Sequence, residues 1–147
     1  MELFEYNTNP SRVVFGSGSI QKLPAEVARL NLSSPLLLST PQQVQQAEQL
    51  KFILNGRVAG IFAEATMHTP THITNKALAY AQKTKADSVV SIGGGSTIGL
   101  GKAIRKTTRS DPKILPWMVI YDVDLTMTLP TGLTATSGVN AIAHAGA

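Results

Sequence analysis

No cysteine occurs among the 147 residues, which excludes disulfides and thiolate zinc sites. Aromatic residues make up only 5% and do not interleave with the basic ones, so a stacking platform for single-stranded nucleic acid is disfavoured. No apolar run approaches the roughly 20 residues that span a bilayer. The first six residues, Met1-Glu-Leu-Phe-Glu-Tyr6, carry acids where a secretory signal carries bases. A cytoplasmic protein with no membrane partner is therefore expected. Charged residues are also few, at 15% against 43% hydrophobic, the composition of a globular chain with one real core. The net charge of +4 gathers partly at Lys102, Arg105, Lys106, Arg109 and Lys113. A solvated helix face explains that cluster better than a nucleic-acid surface, and no nucleic-acid partner is expected.

The chain is rich instead in glycine at one place. The run Asp87-Ser-Val-Val-Ser-Ile-Gly-Gly-Gly-Ser-Thr97 leads a short apolar strand into three glycines and two hydroxyl residues. A helix is predicted to follow over 98–106. Glycine lets backbone turn sharply and approach a ligand closely. The first amides of a helix have no intrahelical partner and carry the positive end of its dipole. Such a junction suits a phosphate or pyrophosphate. The standard dinucleotide fingerprint wants glycine at the first, third and sixth places. Here Gly93 and Gly95 fill two, but Ile98 stands at the sixth and Gly99 comes one residue late. A P-loop is excluded, because no Gly-Lys-Ser/Thr follows at its spacing.

Strand and helix signals alternate along the rest. Residues 2–8 and 11–16 read as extended segments separated by Pro10 and Ser11. Gly16-Ser-Gly18-Ser19 reads as a turn and helix cap, with an anion contact as the lesser alternative. A helix is predicted over 20–30, a doubly buried strand over 35–40, and a glutamine-rich helix from Pro41 that places Val44, Ala47, Leu50, Lys51 and Leu54 on one side. A strand over 57–62, a loop over 68–72, a helix over 73–83 and a strand over 87–92 follow. Another strand is read at 118–121, a connector over 122–130, and the start of a helix over 134–147. This alternation predicts an α/β doubly wound, mostly parallel sheet, whose ligands bind at the carboxyl ends of strands.

Taken together, several segments resemble the maleylacetate reductases, a branch of the iron-containing alcohol dehydrogenase superfamily. They are Pro10-Ser-Arg-Val-Val-Phe-Gly16, Leu38-Ser-Thr-Pro-Gln-Gln43, Met67-His68 followed by Pro70, and Ser91-Ile-Gly-Gly-Gly-Ser-Thr97. They continue with Gly99-Leu-Gly-Lys-Ala-Ile104, Val119-Ile-Tyr-Asp122 and Ala135-Thr-Ser-Gly-Val-Asn-Ala-Ile-Ala-His144. The resemblance implies NADH- or NADPH-dependent reduction of 2-maleylacetate to 3-oxoadipate in the breakdown of aromatic compounds, and a homodimer. It implies a nucleotide-binding α/β domain over 1–133, and over 134–147 the start of a helical domain, with the active site between domains. Gly94, Gly95, Ser96 and Thr97 would hold the pyrophosphate. Thr40 would lie near the adenosine ribose, where an acidic residue would favour NAD, and Thr69 would line the same groove.

Asn140 and His144, four residues apart, share one face of a helix. In metal-dependent relatives an Asp and a His stand at these places as ligands of a divalent ion. The amide at 140 removes an anionic oxygen, so a divalent metal is not expected. His144 would polarise the substrate or donate a proton. Two departures stand out. A strand, a Pro-Thr-Thr loop and a hairpin expected near 107–108 are missing, and most of the helical domain is absent. Losing a strand leaves sheet neighbours unpaired, at about 1–3 kcal/mol for each buried unsatisfied backbone group. Alternatives are another alcohol or glycerol dehydrogenase of the superfamily, or a non-catalytic nucleotide-binding remnant.

Overall fold

The computed structural model describes residues 12–108, 118–127, 130–132, 135, 136 and 139. They form two bodies, one of residues 21–117 and one of residues 1–20 with 118–147.

The larger body is built on Pro35-Leu-Leu-Leu38. This run is strand β2 (Pro35–Leu38), every residue of which is buried. Strands β3 (Gly60–Phe62) and β4 (Ser88–Ser91) pair with it on either side, both in parallel, to give the order β3-β2-β4. A central parallel strand is covered on both faces, which is why it reads as unbroken leucine and not as an alternating pattern. Leu36 and Leu38 pack with Phe62 and with Ile73, Ala77 and Leu78 of α3 (Thr71–Lys83). The same cluster takes in Leu100 and Ile104 of α4 (Gly95–Thr108). Leu37 lies between these two leucines in the strand and therefore points to the opposite face. There α2 (Val44–Ile53) contacts β2, with Ala47, Leu50 and the following Leu54 buried outside that cluster. Val44 and Lys51, predicted on the same side, are exposed. Helix α1 (Leu23–Arg29) precedes β2, with Pro24 in its first turn, where a missing N–H costs nothing.

At the amino-terminal edge of this sheet Asp87 ties two segments together. Its carboxylate accepts hydrogen bonds from Ser33 N (2.6 Å), Ser34 N (2.9 Å), Ser33 Oγ (3.1 Å) and Ser88 Oγ (2.7 Å). Burial works to raise its pKa, but these four donors outweigh it and hold the carboxyl below its ordinary 3.8. At the other end, Ser39 is fully buried and its Oγ has no partner among the described residues.

The smaller body pairs β1 (Arg12–Phe15) with β5 (Met118–Tyr121) in parallel. Asp122, buried just after β5, accepts from Ile20 N (2.8 Å), Gly18 N (3.2 Å) and Asp124 N (3.1 Å). Asp124 accepts from Ser17 Oγ (2.7 Å) and Gly18 N (3.0 Å). Within the Gly16–Ser19 turn the Gly18 amide thus goes to the two carboxylates, while Gly16 N donates to Tyr121 O (3.1 Å) and Ser19 N to Gly16 O (3.4 Å). The alternative of an anion held at this turn is corrected, because a phosphate there would face two negative charges. Residues 131, 132, 135, 136 and 139 are helical, and Thr136 Oγ1 donates to Gly132 O at 3.0 Å. No helix among the described residues is long and apolar enough to cross a membrane.

The parallel α/β architecture agrees with expectation, while several element ends move. The 20–30 helix opens as a 3-10 turn at Ser19–Lys22 before α1. The strand over 57–62 shrinks to Gly60–Phe62, because the amides of residues 54–57 close the turn out of α2, and only at Ala59 does the chain reach β2, donating to Pro35 O (2.9 Å). Helix α3 begins at Thr71 and α4 at Gly95. The extended segment at 2–8 lies outside the described residues.

Two outcomes are expected. Replacing Ser39→Ala removes a buried orphan hydroxyl and should raise stability by about 1 kcal/mol in urea unfolding; a loss of that size would show that the hydroxyl is satisfied. Asp87→Ala should lower Tm at pH 7 by roughly 2–4 °C. A depressed carboxyl stabilises above its unfolded pKa and loses that contribution as pH falls through the folded value. The gap between wild type and variant should therefore close below pH 3.8. A gap that persists there would contradict the assignment.

Candidate functional site

The chain leaves β2 into α2 on one face of the sheet and leaves β4 into α4 on the other. Since β2 and β4 are neighbours, their carboxyl ends flank a topological switch point, where open α/β sheets bind ligands. The residues singled out from the sequence collect around this crevice.

Gly93 turns the chain out of β4. Its φ of +123° lies outside what side-chain-bearing residues adopt, and an added Cβ would run into the Gln43 carboxamide. Gly94 and Gly95 are exposed, and a Cβ on either would meet nothing within 4 Å. The first backbone bond of α4 runs from Ile98 N to Gly94 O (3.2 Å). The amides of Gly95, Ser96 and Thr97 therefore belong to the first turn, where no intrahelical acceptor exists. Three glycines at 93–95 leave this end bare of side chains. Ser96 is half-buried. Thr97 is fully buried and its Oγ1 donates to Gly94 O (2.9 Å), so its hydroxyl fixes the loop and is not presented to a ligand.

Two further loops reach this point. Thr40, directly after β2, is extended and begins the 3-10 turn Pro41–Gln43. Its Oγ1 donates to Gln43 Oε1 (3.1 Å), and Gln43 N donates to Thr40 O (3.0 Å). Through Gln43, Thr40 is joined to Gly93. Thr69 follows His68 in a turn where both residues have positive φ, at +46° and +61°. Such backbone costs of order 1 kcal/mol per residue and persists only where surrounding contacts impose it. Here one such contact is with α4: a Cβ on Gly99 would lie 2.7 Å from Thr69 Oγ1. One turn on, a Cβ on Gly101 would lie 2.5 Å from Ser91 Oγ, which donates to Thr97 O (3.1 Å). Glycine inside a helix costs about 1 kcal/mol relative to alanine. At 99 and 101 it lets α4 settle against the 67–69 turn and β4.

Thr40, Thr69 and Gly94 to Thr97 are thus brought together, and Gln43 joins them as a residue the sequence reading left as a mere family marker. Its spacing of three from Thr40, with Pro41 opening a helical turn, was the available signal. Asn140 and His144 lie outside the described residues. Among the described residues no group of three or more His, Asp or Glu could hold a metal ion.

Comparison with known proteins gives this geometry a family. Residues 10–143 match the family model described as iron-containing alcohol dehydrogenase. The chain belongs to that family. Its members are oxidoreductases. A maleylacetate reductase of Rhizobium sp. (strain MTP-10005) is 43% identical over 175 aligned residues, taking in 99% of this chain and 50% of that protein. The crystal structure of maleylacetate reductase from Agrobacterium tumefaciens superposes with a TM-score of 0.91 at 42% identity, over 99% of this chain and 50% of that one. NADH-dependent butanol dehydrogenase A from Thermotoga maritima shares the fold, with a TM-score of 0.82 at 20% identity over 98% of this chain and half of its own. The chain spans about half the length of the curated relatives it matches. The Rhizobium alignment also exceeds the chain's 147 residues by 28, so that relative carries internal residues with no counterpart here. Because the family is described as iron-containing, the expectation that no divalent metal is needed finds no support in it.

The strain and the contact at Gly93 make one contrast measurable. Gly93→Ala should cost about 1–3 kcal/mol in urea unfolding, through its positive φ and the Gln43 contact. Gly94→Ala should cost under about 1 kcal/mol. Equal costs at the two positions would refute this account of the loop.

Proposed function

We propose that the crevice between β2 and β4 binds NADH or NADPH, and that the chain derives from a maleylacetate reductase. Carrying this reading is the bare, glycine-lined start of α4 at the switch point, in a chain 43% identical to such an enzyme. The pyrophosphate would rest on Gly94 and on the first-turn amides of Gly95, Ser96 and Thr97. Helix dipole and orphan amides favour an anion there, and the absent Cβ atoms let it approach. Thr40 would lie toward the adenosine ribose and Thr69 would line the groove. The cofactor supplies a hydride to one carbon of the 2-maleylacetate double bond, and the other carbon takes a proton to give 3-oxoadipate. His144 would donate that proton or polarise the substrate, with Asn140 beside it on the same helix face. We assign no step to iron: Asn140 and His144, the positions where metal-dependent relatives carry ligands, lie outside the described residues. The missing internal stretch is proposed to lie near 107–108, and a cytoplasmic homodimer is part of the same reading.

One second reading has its own support. The internal 28-residue shortfall favours a remnant that binds nucleotide without completing the reaction.

Fluorescence titration with NADH tests the binding claim, and loss of NADH absorbance that depends on 2-maleylacetate tests the chemistry. Binding with turnover is expected for the reductase, and binding alone for the remnant. No binding by the folded chain would sink both. Gly95→Val should weaken NADH at least tenfold, because the side chain would project over the helix start and collide with nothing in the protein. Unchanged affinity in a folded Gly95→Val would remove the pyrophosphate from this loop.

A further inference from the structure

We infer that Gln43 selects for the 2′-phosphate of NADPH, an assignment that rests on the proposed dinucleotide site. Its side chain bridges the carboxyl ends of β2 and β4. On one side Thr40 Oγ1 donates to Oε1 at 3.1 Å. On the other, the carboxamide lies where a Cβ of Gly93 would be, with Oε1 its nearest atom to that position. The half-buried side chain thus lies between Thr40 and the glycine loop.

Thr40 engages one lone pair of Oε1, and the amide keeps both its N–H groups to offer, since Nε2 has no partner among the described residues. A primary amide in that state is a donor of two hydrogen bonds. It suits an acceptor-only group such as a phosphate. In doubly wound dinucleotide sites the loop after the second strand reads the ribose. An acid there bonds the 2′-hydroxyl and a cation accommodates the 2′-phosphate. The segment Ser39-Thr-Pro-Gln-Gln43 holds neither. Nothing anionic in it repels a 2′-phosphate. The one side chain in it held against the glycine loop presents a neutral donor. Gln43 therefore tilts the site toward NADPH while leaving NADH acceptable.

The distinguishing readout is the ratio of the two affinities. A side chain that merely wedges Gly93 in place would, when altered, weaken NADH and NADPH by the same factor. Gln43→Glu keeps an acceptor for Thr40 and replaces the donor by a negative charge. It should raise the ratio of the NADPH Kd to the NADH Kd at least tenfold. Gln43→Met keeps the bulk and removes the donor, and should raise that ratio by about threefold. Both variants and the wild type are to be titrated with NADH and NADPH by fluorescence, their folding checked by thermal unfolding. If Gln43→Glu does not fold, Gln43→Met carries the test. An unchanged ratio in the folded variants overturns the role of Gln43 and leaves the cofactor site standing. Failure of the wild type to bind either nucleotide overturns the cofactor site, and this inference with it.

Discussion

Burial of β2 on both faces is the constraint from which the rest of residues 21–117 follows. Three leucines with no exposed surface, each worth about 1.5–3 kcal/mol of transfer energy, must be covered from above and below. That coverage requires helices on opposite faces of the strand. A chain that exits β2 toward one face and β4 toward the other necessarily opens a gap between the two exits. The candidate site is that gap. It is a by-product of covering a central strand, and no separate device is needed to create it. What the sequence adds locally is chemistry at the two lips: a hydroxyl-and-amide pair at the end of β2 and a bare glycine loop at the end of β4.

The glycines illustrate how stability is traded against approach. At 93 the backbone conformation itself demands glycine. At 94 and 95 neither conformation nor space demands it, since a Cβ would meet open space. At those two positions glycine packs nothing, which fits the proposed close approach of a nucleotide. At 99 and 101 the reason is internal, the seating of α4 on Thr69 and Ser91. The same letter in the sequence thus carries three physical meanings, which only the neighbours of each Cα separate.

This bears on what the sequence could reveal. The parallel α/β class, the central strand, the glycine loop and the position of Thr40 and Thr69 beside the strand ends were legible, because hydrophobic periodicity and turn residues report local structure directly. The start of α4 was misjudged by three residues: glycine and serine signal a turn, yet Gly95 and Ser96 are already helical once packing against β4 holds them. Residues 57–59 read as strand because Arg57-Val-Ala contains apolar residues, whereas the Arg57 amide is spent closing the turn after α2 and contact with β2 begins only at Ala59. The Gly16–Ser19 turn looked available to an anion. That Asp122 and Asp124, more than a hundred residues on, supply its acceptors is a tertiary fact that no local pattern encodes. Gln43 was hidden for the same reason, since its meaning lies in touching Gly93 across the crevice.

The division of labour within the chain argues for treating binding and turnover as separable properties. Every group assigned to the nucleotide lies between Thr40 and Thr97, and the contacts that fix those groups run from Thr40 to Gly101. This stretch is framed by β2, β4 and α4, the elements whose packing creates the crevice, and the core cluster around it extends to Leu36, Leu38 and Ile104. A nucleotide site of this kind depends on amides and small side chains held by that core, so it survives changes elsewhere that leave the core intact. Reduction of a double bond asks for more, namely a proton source and an oriented substrate. The groups proposed for that work, Asn140 and His144, lie in another part of the chain. Turnover as proposed is therefore the property exposed to changes outside the crevice, and the proposed nucleotide binding the one protected from them.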